Sequence, residues 1–294
     1  MKKVFIIVVL ILVFLSASSL ISLFLSKYAL RVTEYELKGN VKGDLRIVIL
    51  SDLHSSVFGR DNERLVNKVK SCDSDLICLT GDTVNSDDSD FSVAADLTRR
   101  LSEIAPVYVS LGNQETSLSP ELLDRFISVM TDAGAVVLEK EYRDLTINGT
   151  DVRIGGTSGY ALALKFWQDT YNKKVIDSFE DESFSEQRFM LGFQNTDSYK
   201  ILLLHRPEAA TLFWADDGWY DVDLVLSGHT HGGQARFPFI GGLYAPEEGL
   251  FPKCEYGYFR KNDCDIIISA GLGGGKDMPR FNNIPEIVVI NVYD

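Results

Sequence analysis

LRIVILSDLH (residues 45–54) and DLICLTGD (residues 75–82), with NERLVNKVKSC (residues 62–72) between them, decide the fold. Each outer run is short, apolar throughout and closed by a polar residue, the pattern of a strand buried on both faces, and the middle segment reads as a helix. Strand, helix and strand in that order make a βαβ unit, so the sheet is parallel and its strand ends gather the loops. Downstream the pattern repeats: SVAADLTRRLSEIA (92–105) is helix-like, PVYVSLGN (106–113) strand-like, and SPELLDRFISVMTDAG (119–134) a helix before the strand AVVLEK (135–140). From about Glu141 the segments become alternating and Gly-punctuated, predicting a hairpin in a second sheet with its turn at Asn148-Gly149. Residues 161–197 are aromatic and acidic without a strand signal and are expected to be a helical excursion over one sheet face. Strands resume at YKILLLHRP (199–207) and DLVLSGHTHGG (223–233), separated by a helix candidate, EAATLFWADDG (208–218). CDIIISAGLGGG (264–275) and PEIVVINVY (285–293) supply the last two.

Upstream, Val4 to Ser26 is an uncharged apolar run between Lys2-Lys3 and Lys27, long enough to span a bilayer, which needs about 20 residues. Ser16-Ala17-Ser18 imitates a signal-peptide cleavage site, but mostly apolar residues continue past it, which favours an uncleaved anchor. The expected organisation is an anchor helix over residues 1–30, a linker or edge strand over 31–44, and one globular domain over 45–294. The flanking basic residues give a small preference for a cytoplasmic N-terminus, and thus for a globular domain outside the cytoplasm.

Composition narrows the function. A length of 294 residues and a hydrophobic content of 45% support a large core. A formal charge of −13 argues against nucleic-acid partners, since phosphate neutralisation needs surplus Lys and Arg. Four cysteines are too few for a disulfide scaffold in a chain this long, and a purely structural zinc domain is disfavoured because such sites prefer Cys-rich closed tetrahedra. Cys72 and Cys78 read as core residues. Cys254 and Cys264 bracket a hairpin pattern, EYGYFRKND (255–263), whose arms would bring them together, so a disulfide is one expectation there.

All four histidines fall where strands end. Asp52 and His54 close the first strand, Asp82 the second, Asn113 the third, His205 a fourth, and His229 with His231 a fifth. This mixed nitrogen and oxygen set suits Zn²⁺, Mn²⁺, Fe²⁺ or a mixture. Seven donors exceed the need of one ion, and a bridging carboxylate, for which Asp82 is the natural candidate, would hold two ions about 3.5–4 Å apart.

Asp52-Leu53-His54, Gly81-Asp82, Gly112-Asn113, His205 and Gly228-His229-Thr230-His231 resemble, in order, the five motifs of the calcineurin-like metallophosphoesterases. The resemblance covers about residues 45–294. It is nearest to a membrane-tethered branch that has an N-terminal hydrophobic segment, a GHTHGGQ motif and a late PEIV strand, and that includes enzymes similar to UDP-2,3-diacylglucosamine hydrolases. It implies a four-layer αββα sandwich and a dinuclear phosphoesterase acting on a phosphodiester or pyrophosphate, with a lipid-linked or cell-envelope substrate. One metal would be held by Asp52, His54, Asp82 and His231, the other by Asp82, Asn113, His205 and His229. Gly228 and Gly232 would allow close backbone approach, and Thr230 would point away.

The third motif departs from the family, reading Gly112-Asn113-Gln114-Glu115 where Gly-Asn-His is usual. The replaced histidine contacts phosphate and assists the leaving group, whereas Gln114 can donate a hydrogen bond but not a proton. Three outcomes follow: substrates with good leaving groups, substitution by a residue such as Glu115, or phosphate binding with attenuated turnover. Phe237, Pro238, Phe239, Ile240 and Tyr244 read either as an apolar lip for a lipid or as ordinary packing. Arg236 and Arg206 read as surface pairing rather than phosphate contacts, and Gly271 to Gly275 lacks the following Lys-Ser/Thr of a P-loop.

Overall fold

A computed structural model describes residues 1–158, 185–214, 221–246, 248–274 and 279–294. An apolar helix, α1 (Lys2–Tyr28), leads into β1 (Arg31–Lys38), β2 (Leu45–Leu50), β3 (Leu76–Thr80), β4 (Val107–Ser110) and β5 (Ala135–Leu138). Between these strands run α2 (Glu63–Lys70), α3 (Ser92–Ser102), a one-turn α4 (Asn113–Thr116) and α5 (Pro120–Asp132). Next come β6 (Glu141–Ile147), β7 (Thr150–Thr157), α6 (Ser185–Phe193), β8 (Tyr199–Leu204), a π-helical turn (Ala209–Trp214) and β9 (Leu224–Ser227). Four two-residue strands follow, β10 (Arg236–Phe237), β11 (Gly241–Gly242), β12 (Tyr244–Ala245) and β13 (Gly249–Leu250). The chain closes with β14 (Gly257–Lys261), β15 (Cys264–Ile268) and β16 (Glu286–Tyr293).

Two six-stranded sheets result, ordered β1-β16-β2-β3-β4-β5 and β14-β15-β9-β8-β7-β6. Within each sheet the strands that carry the donor residues run parallel to one another: β2 beside β3, β3 beside β4, and β8 beside β9. Alternation along each strand divides the interior into three cores. In β2, Ile47 and Ile49 face the second sheet, while Val48 and Leu50 face α2, α3 and α5. In β8, Ile201 and Leu203 face the first sheet, while Leu202 and Leu204 pack with Phe189, Met190 and Phe193 of α6. Because both sheets are apolar on both faces, each must be covered on both sides, which yields the four layers αββα.

Local signals explain the helix starts and the tight turn. Ser119 accepts a hydrogen bond from the Leu122 amide and Pro120 occupies the first turn of α5. Asn148 and Gly149 both have positive φ, 49° and 83°, as a type I′ turn between β6 and β7 requires.

Three expectations need correction or restriction. For the segment 31–44, expected to be a linker or an edge strand, the structure shows the edge strand. Its residues 31–38 pair along their whole length with β16, and Leu37 and Val41 are buried between the sheets. Cys254 and Cys264 are free thiols. The hairpin forms, but its register sets Lys261 opposite Cys264 and Gly257 opposite Ile268, so Cys254 lies beyond the far end of the arm. Of the excursion expected over 161–197, residues 159–184 lie outside the described residues, and α6 is the helical part inside them.

Candidate metal centre

The loops that leave β2, β3 and β4 meet those that leave β8 and β9 across the gap between the sheets. The first sheet brings Asp52, His54, Asp82 and Asn113, and the second brings His205, His229 and His231. Two clusters form within this group. Ligand atoms of Asp52, His54 and His231 lie within 4.8 Å of one another, as do those of Asp82, His205 and His229. Asp82 connects the clusters, because its Oδ2 is 3.3 Å from His205 Nε2 and 3.7 Å from His54 Nε2. Asn113 Oδ1 joins the second cluster at 3.1 Å from His205 Nε2. The structure thus brings all seven sequence-predicted donors together.

The backbone is bent to achieve this. Asp52, His54, Asp82, His229 and His231 all have φ between 47° and 71°, a left-handed conformation that costs a residue with a Cβ about 1–2 kcal/mol. Such strain persists only where neighbouring contacts impose it. Both oxygens of Asp52 accept from the His229 amide, at 3.0 and 3.1 Å, tying the loop after β2 to the loop after β9. A Cβ on Gly228 would overlap the side chains of Ser51 and Asp52, so only glycine permits that approach. Thr230, as expected, faces elsewhere and donates to the Glu255 carbonyl at 2.5 Å.

Neighbouring groups fix the imidazole tautomers. His205 Nδ1 donates to the Thr80 carbonyl at 2.7 Å and His54 Nδ1 donates to Asn85 Oδ1 at 3.0 Å, which leaves Nε2 of each ring to face the cluster. The amide of Asn85 is held in turn by Asp88 and the His54 carbonyl. His54 Nε2 and His231 Nε2 face each other at 3.2 Å. Two lone pairs in that position are satisfied together by a cation, and donors about 2.0–2.2 Å from one ion stand roughly this far apart. On chemistry and spacing, the residues present fit two divalent ions.

Charge balance supports the same reading. Burial disfavours the imidazolium of His205, but the adjoining Asp82 carboxylate outweighs it and pushes the pKa up to about 10. Burial likewise opposes ionisation of Asp82, and the His205 cation overrides it, holding Asp82 well below the ordinary carboxylate range. Burial holds His231 down to about 4, with Asp52 offsetting only part of the effect. The paired protonated His205 and ionised Asp82 hold a positive charge where a metal ion would hold it instead.

Glu115 is not placed to replace the missing acid. It is fully buried and its carboxylate accepts from the amides of Asp82, Thr83, Val84 and Gly112, at 2.6 to 3.2 Å. It therefore fixes the Asp82 loop to the Asn113 loop. Gln114 donates its main-chain amide to Asp82 Oδ1 at 2.8 Å, and its side-chain Oε1 accepts from the Ser86 amide at 2.9 Å, leaving Nε2 as the donor end.

Sequence reasoning missed four supporting residues: Asn85, Asp88, Asn283 and Arg280. Asn283 Nδ2 donates to the carbonyls of His231 and Gln234, and its main-chain amide donates to Ser26 Oγ of α1 at 3.0 Å. Arg280 is buried and donates to the carbonyls of Gly273 and Asn283 and to Asn283 Oδ1, and burial lowers its pKa to about 10. Arg236, as expected, is engaged structurally, with Gly232 and Glu255. Arg206 directly follows His205 at the end of β8.

Comparison with known proteins agrees with this arrangement. The family model for calcineurin-like phosphoesterases matches residues 45–233. The putative metallophosphoesterase F40B5.2 of Caenorhabditis elegans is 28% identical over 78% of this chain, which spans only 44% of that protein's length. The uncharacterized metallophosphoesterase YkuE of Bacillus subtilis is 27% identical over 92% of this chain and 87% of its own. The phosphodiesterase YaeI of Escherichia coli is 27% identical over 84% of this chain and 82% of its own. With its strand-end donors inside the matched stretch, the chain belongs to the calcineurin-like phosphoesterase family and is a phosphoesterase hydrolase.

Proposed function

We propose that the protein is a dinuclear metal-dependent phosphoesterase, held at a membrane by α1, that hydrolyses a phosphodiester or pyrophosphate bond in a lipid-linked or cell-envelope precursor. The observation that carries the membrane part of this reading is Asn283. One residue joins Ser26, on a helix with mean hydropathy 3.1, to His231 in the donor cluster. In this reading Asp52, His54, Asp82 and His231 hold one ion, and Asp82, Asn113, His205 and His229 hold the other. Bound ions supply Lewis acidity and lower the pKa of water for attack at phosphorus. Asp82 would belong to both ligand sets, Asn85 and Thr80 hold two imidazoles in the ligating tautomer, and Gln114 Nε2 offers a neutral donor toward a phosphate oxygen. With no proton donor in the third motif, a leaving group that departs without protonation is favoured. A pyrophosphate, as in the substrates of UDP-2,3-diacylglucosamine hydrolase-like enzymes, meets that requirement. The flanking charges favour a catalytic domain outside the cytoplasm.

Metal-loaded full-length protein is expected to cleave a lipid pyrophosphate and an aryl phosphodiester. Failure on both contradicts the proposal. A second reading, a metal- and phosphate-binding membrane protein with attenuated catalysis, rests on Gln114 and on the commitment of Glu115 to main-chain amides. The variant Gln114→His separates the two. If the site is attenuated, the variant gains roughly 10²-fold or more from near-zero turnover, the usual size of a general-acid contribution. An adapted enzyme changes little on substrates with good leaving groups.

A further inference from the structure

A cavity of about 620 Å³ lies where the C-terminal turns of α1 meet the loops of the donor cluster. Leu23 and Tyr28 of α1 form one wall, Val57 and Phe58 another, and Leu272 and Arg280 the remainder. Its volume falls within the range of small-molecule sites, about 300–1,000 Å³. Leu23 and Val57 are about half exposed, while Phe58 and Leu272 are buried beneath them.

Both ends of the cavity are defined. At one end, Ser22 and Ser26 accept hydrogen bonds from the amides of Asn282 and Asn283, so the helix is pinned to the domain inside its uncharged run. Ser22 is one turn before Ser26, about 6 Å deeper into the span at ~1.5 Å per residue. At the other end, the Leu272 amide donates to the Ser51 carbonyl and the Gly273 amide to the Asp52 carbonyl, so the lining is continuous with the backbone of the donor loop. The Ser56 to Phe58 segment likewise begins two residues after His54. Among the described residues, Arg280 donates to amide oxygens alone, and the carboxylates that act on its charge, Asp52 and Glu286, do so from beyond ion-pair distance.

We infer that this cavity is a lipid-chain site, which takes one hydrocarbon chain of a membrane-resident phosphate ester and delivers its anionic head, past Arg280, toward the donor cluster. The inference deepens the functional reading above and rests on it for the phosphate. Its own content is where the chain lies. A chain leaving the bilayer beside Leu23 passes directly onto Val57 and Phe58 without crossing water, and the hydrophobic effect favours that route. The neighbouring surface continues the apolar character: Phe237, Phe239, Ile240, Leu250 and Phe251 are exposed, and Phe237 packs on Phe281, next to Asn282.

The test uses full-length, metal-loaded protein in lipid nanodiscs containing a phospholipid with a photoactivatable diazirine on its acyl chain. Cross-links are mapped by mass spectrometry, and hydrolysis of a long-alkyl p-nitrophenyl phosphodiester is compared with that of bis-p-nitrophenyl phosphate. Cross-links on the peptides carrying Val57, Phe58 or Leu272 are expected. Val57→Trp, which fills the cavity, is expected to lower kcat/KM roughly tenfold or more on the long-chain ester while leaving the soluble ester nearly unchanged. Cross-links confined to the outer face of α1, with equal long-chain turnover by both proteins, overturn the inference. If neither ester is turned over, the functional reading fails instead, and the cross-links alone decide whether a chain enters the cavity.

Discussion

Both oxygens of Glu115 are committed to main-chain amides, two each, so this residue acts by positioning the loops of Asp82 and Asn113. Glu115→Gln replaces one acceptor with a donor and leaves two buried amides unpaired. Each such amide costs about 1–3 kcal/mol, so the variant should lose several kcal/mol of stability in denaturant melts and bind metal more weakly. Stability equal to wild type would refute that role. At His205 the sign of the proton linkage is fixed by geometry. Its pKa in the metal-free chain is about 10, so at about pH 8 the ring is protonated, and an ion that takes Nε2 must expel that proton. Calorimetric titration in buffers of different ionisation enthalpy should report about one proton released at this position, and metal affinity should fall as pH falls. Heats independent of buffer would contradict it. The donors themselves were legible because each stands at the end of an apolar run. Glu115, Asn85, Asp88 and Asn283 were not, because their roles depend on bonds to backbone atoms of distant loops, and no local pattern encodes such bonds.

Among the elements, the β6–β7 hairpin was readable from Asn148-Gly149, and its energetics can be checked in isolation from the site. A Cβ at Gly149 meets nothing within 4 Å, so Gly149→Ala carries only the backbone cost of φ 83°. About 1–2 kcal/mol and a few degrees of Tm should be lost with metal binding intact. An unchanged Tm would mean that the turn relaxes. Buried strands could be recognised because they are apolar on both faces, yet their neighbours could not. The last strand, β16, inserts between β1 and β2, parallel to one and antiparallel to the other. That placement is a property of the whole chain. It also explains why residues 31–44 could be read as either a linker or an edge strand: β1 lies at the sheet edge, its residues are half-exposed or exposed, and Leu37 is the one buried position within it. The separation of Cys254 from Cys264 has a similar origin, since a hairpin brings together only residues that its register opposes.

At the scale of the molecule, the proposal that α1 is a membrane anchor sets its boundary with the rest of the chain between Tyr28 and Arg31. Removal of residues 1–28 should release the protein from membranes and leave metal binding and hydrolysis of soluble esters in place. Removal of residues 1–40 takes β1 as well. Fully buried Glu286 then loses its bonds from Arg31, at 2.6 Å, and Thr33, at 2.5 Å, and an uncompensated buried carboxylate costs about 3–5 kcal/mol. Membrane fractionation and thermal melts of the two truncations check both statements, and equal stability of the two would contradict the second. The central claim, that donors from two sheets converge to hold two ions for phosphoester hydrolysis, is tested most directly by elemental analysis of the purified protein together with its hydrolysis of bis-p-nitrophenyl phosphate. Two metal ions per chain are expected, with turnover that a chelator abolishes and a divalent metal restores. No bound metal, or turnover indifferent to the chelator, would contradict it.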